Sequence, residues 1–178
     1  MKSKLIILFV LFIALTATAQ VSTKTGIVKF EASTPNFEPV AATNSATSAI
    51  LKEDGSVVVL SLIKGFQFKK ALMQKHFNSK KWVNSQEFPK TKFVGAIANF
   101  DLESLTAESK EYKINGKLTF HGVTKEISTL ATINKVDAVV SLQTKFAVKV
   151  ADYGIVVKSK LAAKIAEKVN VDIALTLK

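Results

Sequence analysis

The sequence predicts an all-β protein, an eight-stranded antiparallel up-and-down barrel with two short helices. Apolar and polar residues alternate with a period of two over most of the chain from Ile27 onward, which is typical of half-buried strands. Short turn-like segments separate most of these strands, and this favours antiparallel neighbours. Because closure removes the exposed edges of a sheet, we expect a barrel, with a two-sheet sandwich as the alternative.

The candidate strands share this alternation and end at polar or glycine-containing segments. They are residues 26–33, 44–53, 56–65, 91–100, 110–120, 124–135, 137–150 and 169–178. Glu53-Asp54-Gly55, followed by Ser56, is a strong hairpin turn signal between the second and third strands. The third strand, SVVVLSLIKG, is apolar on both faces in its first half. The last strand alternates strictly from Val169 to Leu177.

Two segments have helical rather than strand spacing. In FQFKKALMQKHFNSKKW, Phe68 and Leu72 are four residues apart, which predicts a short helix over 68–77 followed by an irregular segment. The second segment, 159–168, begins at Ser159, a favourable N-cap residue, and predicts another short helix. We expect the first helix to cover one end of the barrel.

The N-terminal segment predicts a secretory signal peptide over residues 1–19. Lys2 and Lys4 precede an apolar run from Leu5 to Leu15, and Ala17-Thr18-Ala19 has the small-x-small pattern of a cleavage site. The apolar run is shorter than the ~20 residues that a membrane-spanning helix needs. We therefore expect cleavage after Ala19, a single domain over residues 20–178, and a periplasmic or secreted protein.

The charge of the chain is basic, with a formal net charge of +11 at pH 7. All of the basic residues are lysine, and arginine, the usual residue for bidentate recognition of phosphate or guanine, is absent. We therefore expect no nucleic-acid partner. The scattered lysines are typical of a solvated surface. The functional alternative is that they make transient contact with an anionic membrane.

Motifs for catalysis or metal binding are not evident in the sequence. The chain has no cysteine, and its two histidines, His76 and His121, belong to different predicted elements. We expect no metal and no cofactor. A hydrolase stays open only because catalytic triads are assembled from residues far apart in sequence.

His121 follows the strand that ends at Phe120 and precedes Gly122, so the stretch from His121 to Thr124 predicts a tight hairpin turn. Gly122 is expected to supply a positive φ angle, and the histidine to hold the turn by a hydrogen bond. Contact with a ligand at a barrel mouth is the alternative role, because hairpin turns rim such mouths.

The large apolar side chains, including 12 phenylalanines, are spread through nearly every element. They fit either a packed core or an apolar cavity, because a filled barrel and a hollow one have the same alternation. The candidate residues for a cavity wall are Phe30, Leu60, Leu62, Phe66, Leu72, Phe77, Phe93, Phe120 and Phe146.

Three stretches, ALMQKHFNSKKWVNSQEFPKTKF, GKLTFHGVTKEI and KVADYGI, occur in an order that resembles the YceI-like family of bacterial periplasmic proteins. The resemblance implies a lipocalin-like barrel with a long apolar pore that binds polyisoprenoids or other amphiphilic lipids, and no catalysis. The residues that match the shared pattern are interpreted as fold-defining. They are Gly116, Leu118, His121, Gly122, Asp152 and Gly154.

The sequence departs from the family pattern in two places. A Trp-x-Ile-Asp start and a His-Ser pair in the first strand are replaced by TKTGIVKFEAS. Val150-Ala151 stand before Asp152, where a basic residue is common. A head-group preference therefore does not carry over to this chain.

The function expected from the sequence is that of a binding protein that sequesters or carries an apolar lipid. The alternative is a non-catalytic envelope interaction module with a filled barrel that binds protein or glycan. The ligand and the oligomeric state, a homodimer included, stay open at this point.

Overall fold

The computed structural model describes residues 19–157 and 163–178. These residues form nine strands, one α-helix and two short 3₁₀ turns, at Ile63–Gly65 and Val150–Tyr153. The strands and helix are β1 (Gln20–Glu31), β2 (Ala41–Lys52), β3 (Ser56–Leu62), β4 (Gln67–Phe68), α1 (Ala71–Asn78), β5 (Lys90–Ile97), β6 (Lys110–Phe120), β7 (Val123–Val136), β8 (Val139–Lys149) and β9 (Lys168–Leu177).

Eight of these strands close into an antiparallel barrel. Going around the barrel, the order is β1, β2, β3, β5, β6, β7, β8 and β9, and β9 pairs with β1 to close the ring. The two-residue strand β4 is an addition that pairs with β2. The chain therefore runs up and down around the barrel as predicted, and the sandwich alternative is wrong.

The connections divide the barrel into two unlike ends. At the end that we call the closed end, the strands are joined by residues 53–55, 98–109 and 137–138. At the opposite end, which we call the mouth end, the connections are 32–40, 63–89, 121–122 and 150–167. The mouth end carries α1 and both 3₁₀ turns, so most of the structure outside the strands lies there.

Tightly packed apolar side chains fill the barrel at the closed end. Leu51, Ile133, Val140 and Leu177, near the closed-end termini of four strands, are wholly buried. Leu102 and Leu105 from the connection 98–109 are also buried in this core. Burial of these side chains stabilises the barrel by about 1.5–3 kcal/mol each relative to exposure. The interior at this end is therefore a solid floor.

The element boundaries differ from the predictions in several places, and the first predicted helix, over 68–77, begins only at Ala71 because Phe68 lies in β4. The largest differences concern β1 and the second predicted helix. Strand β1 starts at Gln20 rather than at residue 26, because the polar run from Ser22 to Thr25 has no alternation to reveal a strand. Residues 163–167 of the second predicted helix form a turn and a bend, and β9 begins at Lys168, so this part is not helical.

The rest of that predicted helix, including Ser159, and the predicted signal peptide up to residue 18 lie outside the described residues. Within the described ranges, no helix has the length and apolar character needed to cross a membrane.

Candidate functional site

A cavity of about 550 Å³ occupies the barrel above the floor and extends to the mouth end. Inward-facing side chains of β1, β3 and β5 to β9 form its wall, and most of them are apolar. They include Val28, Val59, Ile127, Leu142 and Ile173. Cavities of 300–1,000 Å³ with mainly apolar walls are typical of small-molecule sites, so this cavity is the candidate functional site.

Four phenylalanine rings line the cavity near the mouth end and pack against one another. Phe30 of β1, Phe66, Phe68 of β4 and Phe77 of α1 have neighbouring ring centroids 5.0–6.2 Å apart. We call these four residues the aromatic cap. Helix α1 contributes Met73 to the wall four residues before Phe77, so one face of the helix lies over the cavity. The cap therefore combines side chains from two strands, a connection and a helix.

Polar groups within the wall are largely bonded to other parts of the protein. Ser61 Oγ lies 2.7 Å from Thr47 Oγ1, and both side chains are buried. The Thr144 hydroxyl donates to the Leu130 carbonyl oxygen at 2.7 Å and lies 3.2 Å from Thr129 Oγ1. Because these hydroxyls already have partners, the interior favours apolar groups.

Charged and titratable side chains of the cavity are found at its mouth. Glu38 and Lys164 come from two mouth-end connections, and His76 comes from α1. Lys92 lies near the mouth-end start of β5. Lys70, just before α1, forms a salt bridge with Glu38 and so links the helix to the connection 32–40. The geometry suits a molecule whose apolar part lies in the barrel and whose polar end reaches water at the mouth.

Two glycines make room for Phe93 inside the barrel. Gly95 of β5 and Gly116 of β6 are direct partners in the sheet. A Cβ atom on Gly116 would lie 2.5 Å from Phe93 Cζ, and one on Gly95 would lie 2.7 Å from the same atom. The Phe93 ring therefore lies close to both glycine backbones and forms part of the cavity wall.

His121 and Gly122 form a two-residue turn between β6 and β7 with φ angles of 49° and 75°. Two consecutive positive φ angles are the requirement of the hairpin turn that matches strand twist. The Phe88 ring packs edge-on against His121 at a centroid distance of 4.5 Å. The histidine thus belongs to a turn, and the Phe88 ring packs against it.

A family model described as the YceI-like domain matches residues 13–177, nearly the whole chain. This chain belongs to the YceI-like family. The resemblance noted in the sequence is therefore confirmed, as is the barrel fold that it implied. No curated protein matches the sequence of this YceI-like chain.

Solved structures similar to this YceI-like chain share its fold at low sequence identity. A polyisoprenoid-binding domain from Saccharophagus degradans, implicated in plant cell wall breakdown, has 16% identity and a TM-score of 0.76, covering 91% of this chain and 99% of its own. Burkholderia cenocepacia BcnA has 18% identity and a TM-score of 0.71, and the match covers 86% of this chain and 96% of BcnA. The Campylobacter jejuni YceI protein has 17% identity and a TM-score of 0.63, and the match covers 80% of this chain and 86% of that protein.

Six of the nine candidate wall residues lie on the cavity of this YceI-like barrel. They are Phe30, Phe66, Phe77, Phe93, Phe120 and Phe146. Their role as ligand contacts stays a prediction. Leu118, matched to the family pattern, also lines the cavity. Asp152 is exposed in the second 3₁₀ turn, and Gly154 ends that turn with a φ angle of 75°.

The other three candidates, Leu60, Leu62 and Leu72, do not line the cavity. In β3 the inward positions are Val57, Val59 and Ser61, so Leu60 and Leu62 lie on the outer face, where Leu62 is 56% exposed. Leu72 is 63% exposed because it precedes the inward-facing Met73 on α1.

Sequence reasoning missed several wall residues, among them Val59, Leu142 and Thr144. In β9 the strict alternation of Val169, Val171, Ile173 and Leu175 marks one face, and all four line the cavity. That signal was available in the sequence. Among the described residues, no group of three or more His, Asp or Glu is placed to hold a metal ion.

Proposed function

We propose that this YceI-like protein binds one long apolar lipid, of the isoprenoid or fatty-acyl type, in the cavity above the barrel floor. The observation that carries the proposal is the 550 Å³ apolar cavity that extends to the mouth end. Transfer of a hydrocarbon chain from water into such a cavity contributes about 0.8 kcal/mol per CH₂ group. The polar end of the lipid remains at the mouth, near Glu38, His76 and Lys164.

The similarity to the Saccharophagus degradans domain supports the isoprenoid class, because that protein is described as polyisoprenoid-binding. The pattern of bonded hydroxyls in the wall supports an apolar guest of either class, since the wall offers such a guest few free polar partners. Sequestration or transport by burial needs no bond-making step, so we propose a non-catalytic role.

The compartment in which the protein acts is part of the same proposal. The sequence of residues 1–19 supports export through a cleaved signal peptide. A periplasmic or secreted carrier would shield an apolar lipid from water during passage through an aqueous space.

The test compares two neighbouring positions of β3 that face opposite sides of the sheet. Val59→Trp places a large side chain in the cavity, whereas Leu60→Trp places the same side chain on the outer wall. Each protein, from Gln20 onward, is incubated with palmitate or farnesol and examined by native mass spectrometry. We expect a one-to-one complex for the wild type and Leu60→Trp, and at least a tenfold weaker one for Val59→Trp, equivalent to about 1.4 kcal/mol.

Urea unfolding of the same proteins shows whether Val59→Trp still folds, because overpacking costs about 1–3 kcal/mol. If Val59→Trp does not fold, Ile127→Trp provides a second cavity-filling variant. Equal binding by the inward and outward variants would overturn the cavity as the site. Failure of the wild type to bind any prenyl or acyl lipid would overturn the carrier function and favour the interaction module.

A further inference from the structure

The connections at the two ends of the barrel carry opposite net charge. The closed-end connections, all of whose residues the structure describes, contain six acidic residues and no lysine. The acidic residues are Glu53, Asp54, Asp101, Glu103, Glu108 and Asp137. Part of this negative charge is offset by four lysines at or next to the adjoining strand ends, namely Lys52, Lys110, Lys135 and Lys178. The closed end should therefore be attracted to an anionic surface less than the mouth end is.

The mouth-end connections have the opposite balance, with seven lysines and four carboxylates among their described residues. The lysines are Lys64, Lys69, Lys70, Lys75, Lys80, Lys81 and Lys164, and the carboxylates are Glu38, Glu87, Asp152 and Glu167. The charge asymmetry makes the barrel an electric dipole with its positive pole at the cavity mouth. Such a dipole orients a protein as it approaches an anionic surface.

Exposed apolar side chains accompany these lysines. Phe37, Leu62, Leu72 and Val156 lie at the mouth end and are 42–79% exposed. Lys164 Nζ lies 5.8 Å from the centre of the Phe37 ring, so one exposed aromatic side chain and one lysine adjoin at the rim. Isolated exposed apolar residues are common on protein surfaces, but apolar residues among lysines are typical of segments that enter the interface of a bilayer.

The outer face of helix α1 carries both a lysine and an exposed apolar side chain. Its inner face contributes Met73 and Phe77 to the cavity, and its outer face presents Leu72 and Lys75 to solvent. Lysine pairs stand immediately before and after the helix, at 69–70 and 80–81. Each lysine near an anionic membrane strengthens binding by about fivefold.

From these observations we infer that the mouth end docks on an anionic lipid bilayer, with α1 and the exposed Phe37 against the headgroups and the cavity facing the membrane. The inference rests on the proposed function for its purpose, because docking in this orientation lets a lipid pass between bilayer and cavity without crossing water. An anionic protein would match the lysines, but it would not explain why the charge and the exposed apolar side chains surround the opening of an apolar cavity.

The first experiment measures flotation of the protein, from Gln20 onward, with vesicles of phosphatidylcholine alone or mixed with phosphatidylglycerol. The mouth variant is Lys75→Gln with Lys81→Gln, and the matched control is Lys110→Gln with Lys178→Gln near the closed end. Both variants remove two positive charges from exposed positions. We expect the mouth variant to bind mixed vesicles about thirtyfold more weakly, while the control retains binding and added salt releases the wild type.

Equal losses in the two double variants would overturn the docking surface, as would equal binding of the wild type to both kinds of vesicle. Orientation is measured separately with single cysteines, because the chain has none of its own. Leu72→Cys at the mouth end and Val136→Cys at the closed end replace side chains of similar exposure, 63% and 52%. A polarity-sensitive dye should shift to the blue at position 72 alone, and a shift only at position 136 would overturn the orientation.

Loading with palmitate in the absence of vesicles separates this inference from the proposed function. A protein that loads palmitate but does not bind mixed vesicles overturns the docking alone. A protein that binds the vesicles through the mouth lysines but takes up no lipid overturns the proposed function alone.

Discussion

His121 Nδ1 lies 2.9 Å from the main-chain carbonyl oxygen of Tyr153. Because a carbonyl oxygen only accepts, the imidazole donates through Nδ1–H in this contact. The bond joins the turn between β6 and β7 to the second 3₁₀ turn, 32 residues later in the chain. A Cβ atom on Gly122 would lie 2.7 Å from the Phe88 ring, so the same turn is also fitted against the connection after α1. Three mouth-end connections thus meet at one histidine.

The first prediction concerns this histidine. His121→Ala removes the hydrogen bond and places a residue with little tolerance for positive φ at an angle of 49°. We expect the free energy of unfolding to fall by about 1–3 kcal/mol, measured by urea denaturation. His121→Asn is the matched control, because asparagine tolerates this backbone conformation and should lose less. Equal stability of the wild type and the alanine variant would contradict a structural role for His121.

Tyr153 gives a prediction about pH. Its side chain is 2% exposed, and burial, with a smaller contribution from the Asp152 carboxylate, raises the pKa of the phenol above its ordinary 10.0. The folded protein therefore retains a proton that the unfolded chain releases once the pH exceeds 10.0. The free energy of unfolding should then decrease as the pH rises from 10.0 toward the higher folded pKa, and this group should contribute no pH dependence at neutral pH.

Tyr153→Phe isolates that contribution. The hydroxyl has no hydrogen-bond partner among the described residues, so its removal should have little effect on stability at neutral pH. The difference in unfolding free energy between wild type and variant, followed by urea denaturation from neutral to alkaline pH, should shift in favour of the variant above about pH 10. A difference that stays constant across this range would show that the phenol titrates alike in the folded and unfolded chains.

The sequence was sufficient for the barrel but not for the inner face of every strand. Alternation in β9 identifies one face, and that face lines the cavity. In β3 both faces carry apolar residues, so alternation cannot distinguish Val59 from Leu60. Ser61 faces inward although it is polar, because its hydroxyl lies next to that of Thr47 on the neighbouring strand. Only the pairing of β2 with β3 in the folded protein creates this contact, so the sequence pattern cannot reveal it. The prediction that Leu72 lines the cavity is wrong because Phe68 lies in β4 and not in α1. Met73 and Phe77 form the inner face of this helix.

The Thr47–Ser61 contact can be tested with a double-mutant cycle. Both side chains are buried, and their oxygen atoms lie 2.7 Å apart. Thr47→Val should leave the Ser61 hydroxyl without its partner and lower the free energy of unfolding by about 1–3 kcal/mol. Adding Ser61→Ala removes the orphaned hydroxyl, so we expect the double variant to regain part of that loss in urea denaturation. Additive effects of the two substitutions would show that the hydroxyls are not coupled.

Gly116 matches the family pattern, and we expect a substitution there to change both the stability of the protein and the shape of the cavity. In Gly116→Ala, the new Cβ atom would lie within 2.6 Å of Phe93 Cζ, the Gly95 Cα atom and the Val94 carbonyl oxygen. The Phe93 ring must then move into the cavity and the strands must separate, so stability should fall by about 1–3 kcal/mol and palmitate should bind more weakly. Lys117→Ala, the next residue on the outer face, is the control and should leave both quantities nearly unchanged. Similar results for the two variants would show that β6 accommodates a side chain at position 116 without displacing the ring.

The last prediction concerns the aromatic cap. Phe77→Ala removes the ring by which α1 contacts Phe30, Phe66 and Phe68. If the cap restricts escape from the cavity, a bound fluorescent fatty acid should leave roughly tenfold faster, which corresponds to about 1.4 kcal/mol of lost barrier. Leu72→Ala changes an exposed residue of the same helix and should leave the release rate unchanged. Trp82 is the only tryptophan and lines the cavity, so the loss of energy transfer from Trp82 to the ligand reports release directly. Equal release rates in the two variants would mean that lipid leaves by a route that the cap does not control.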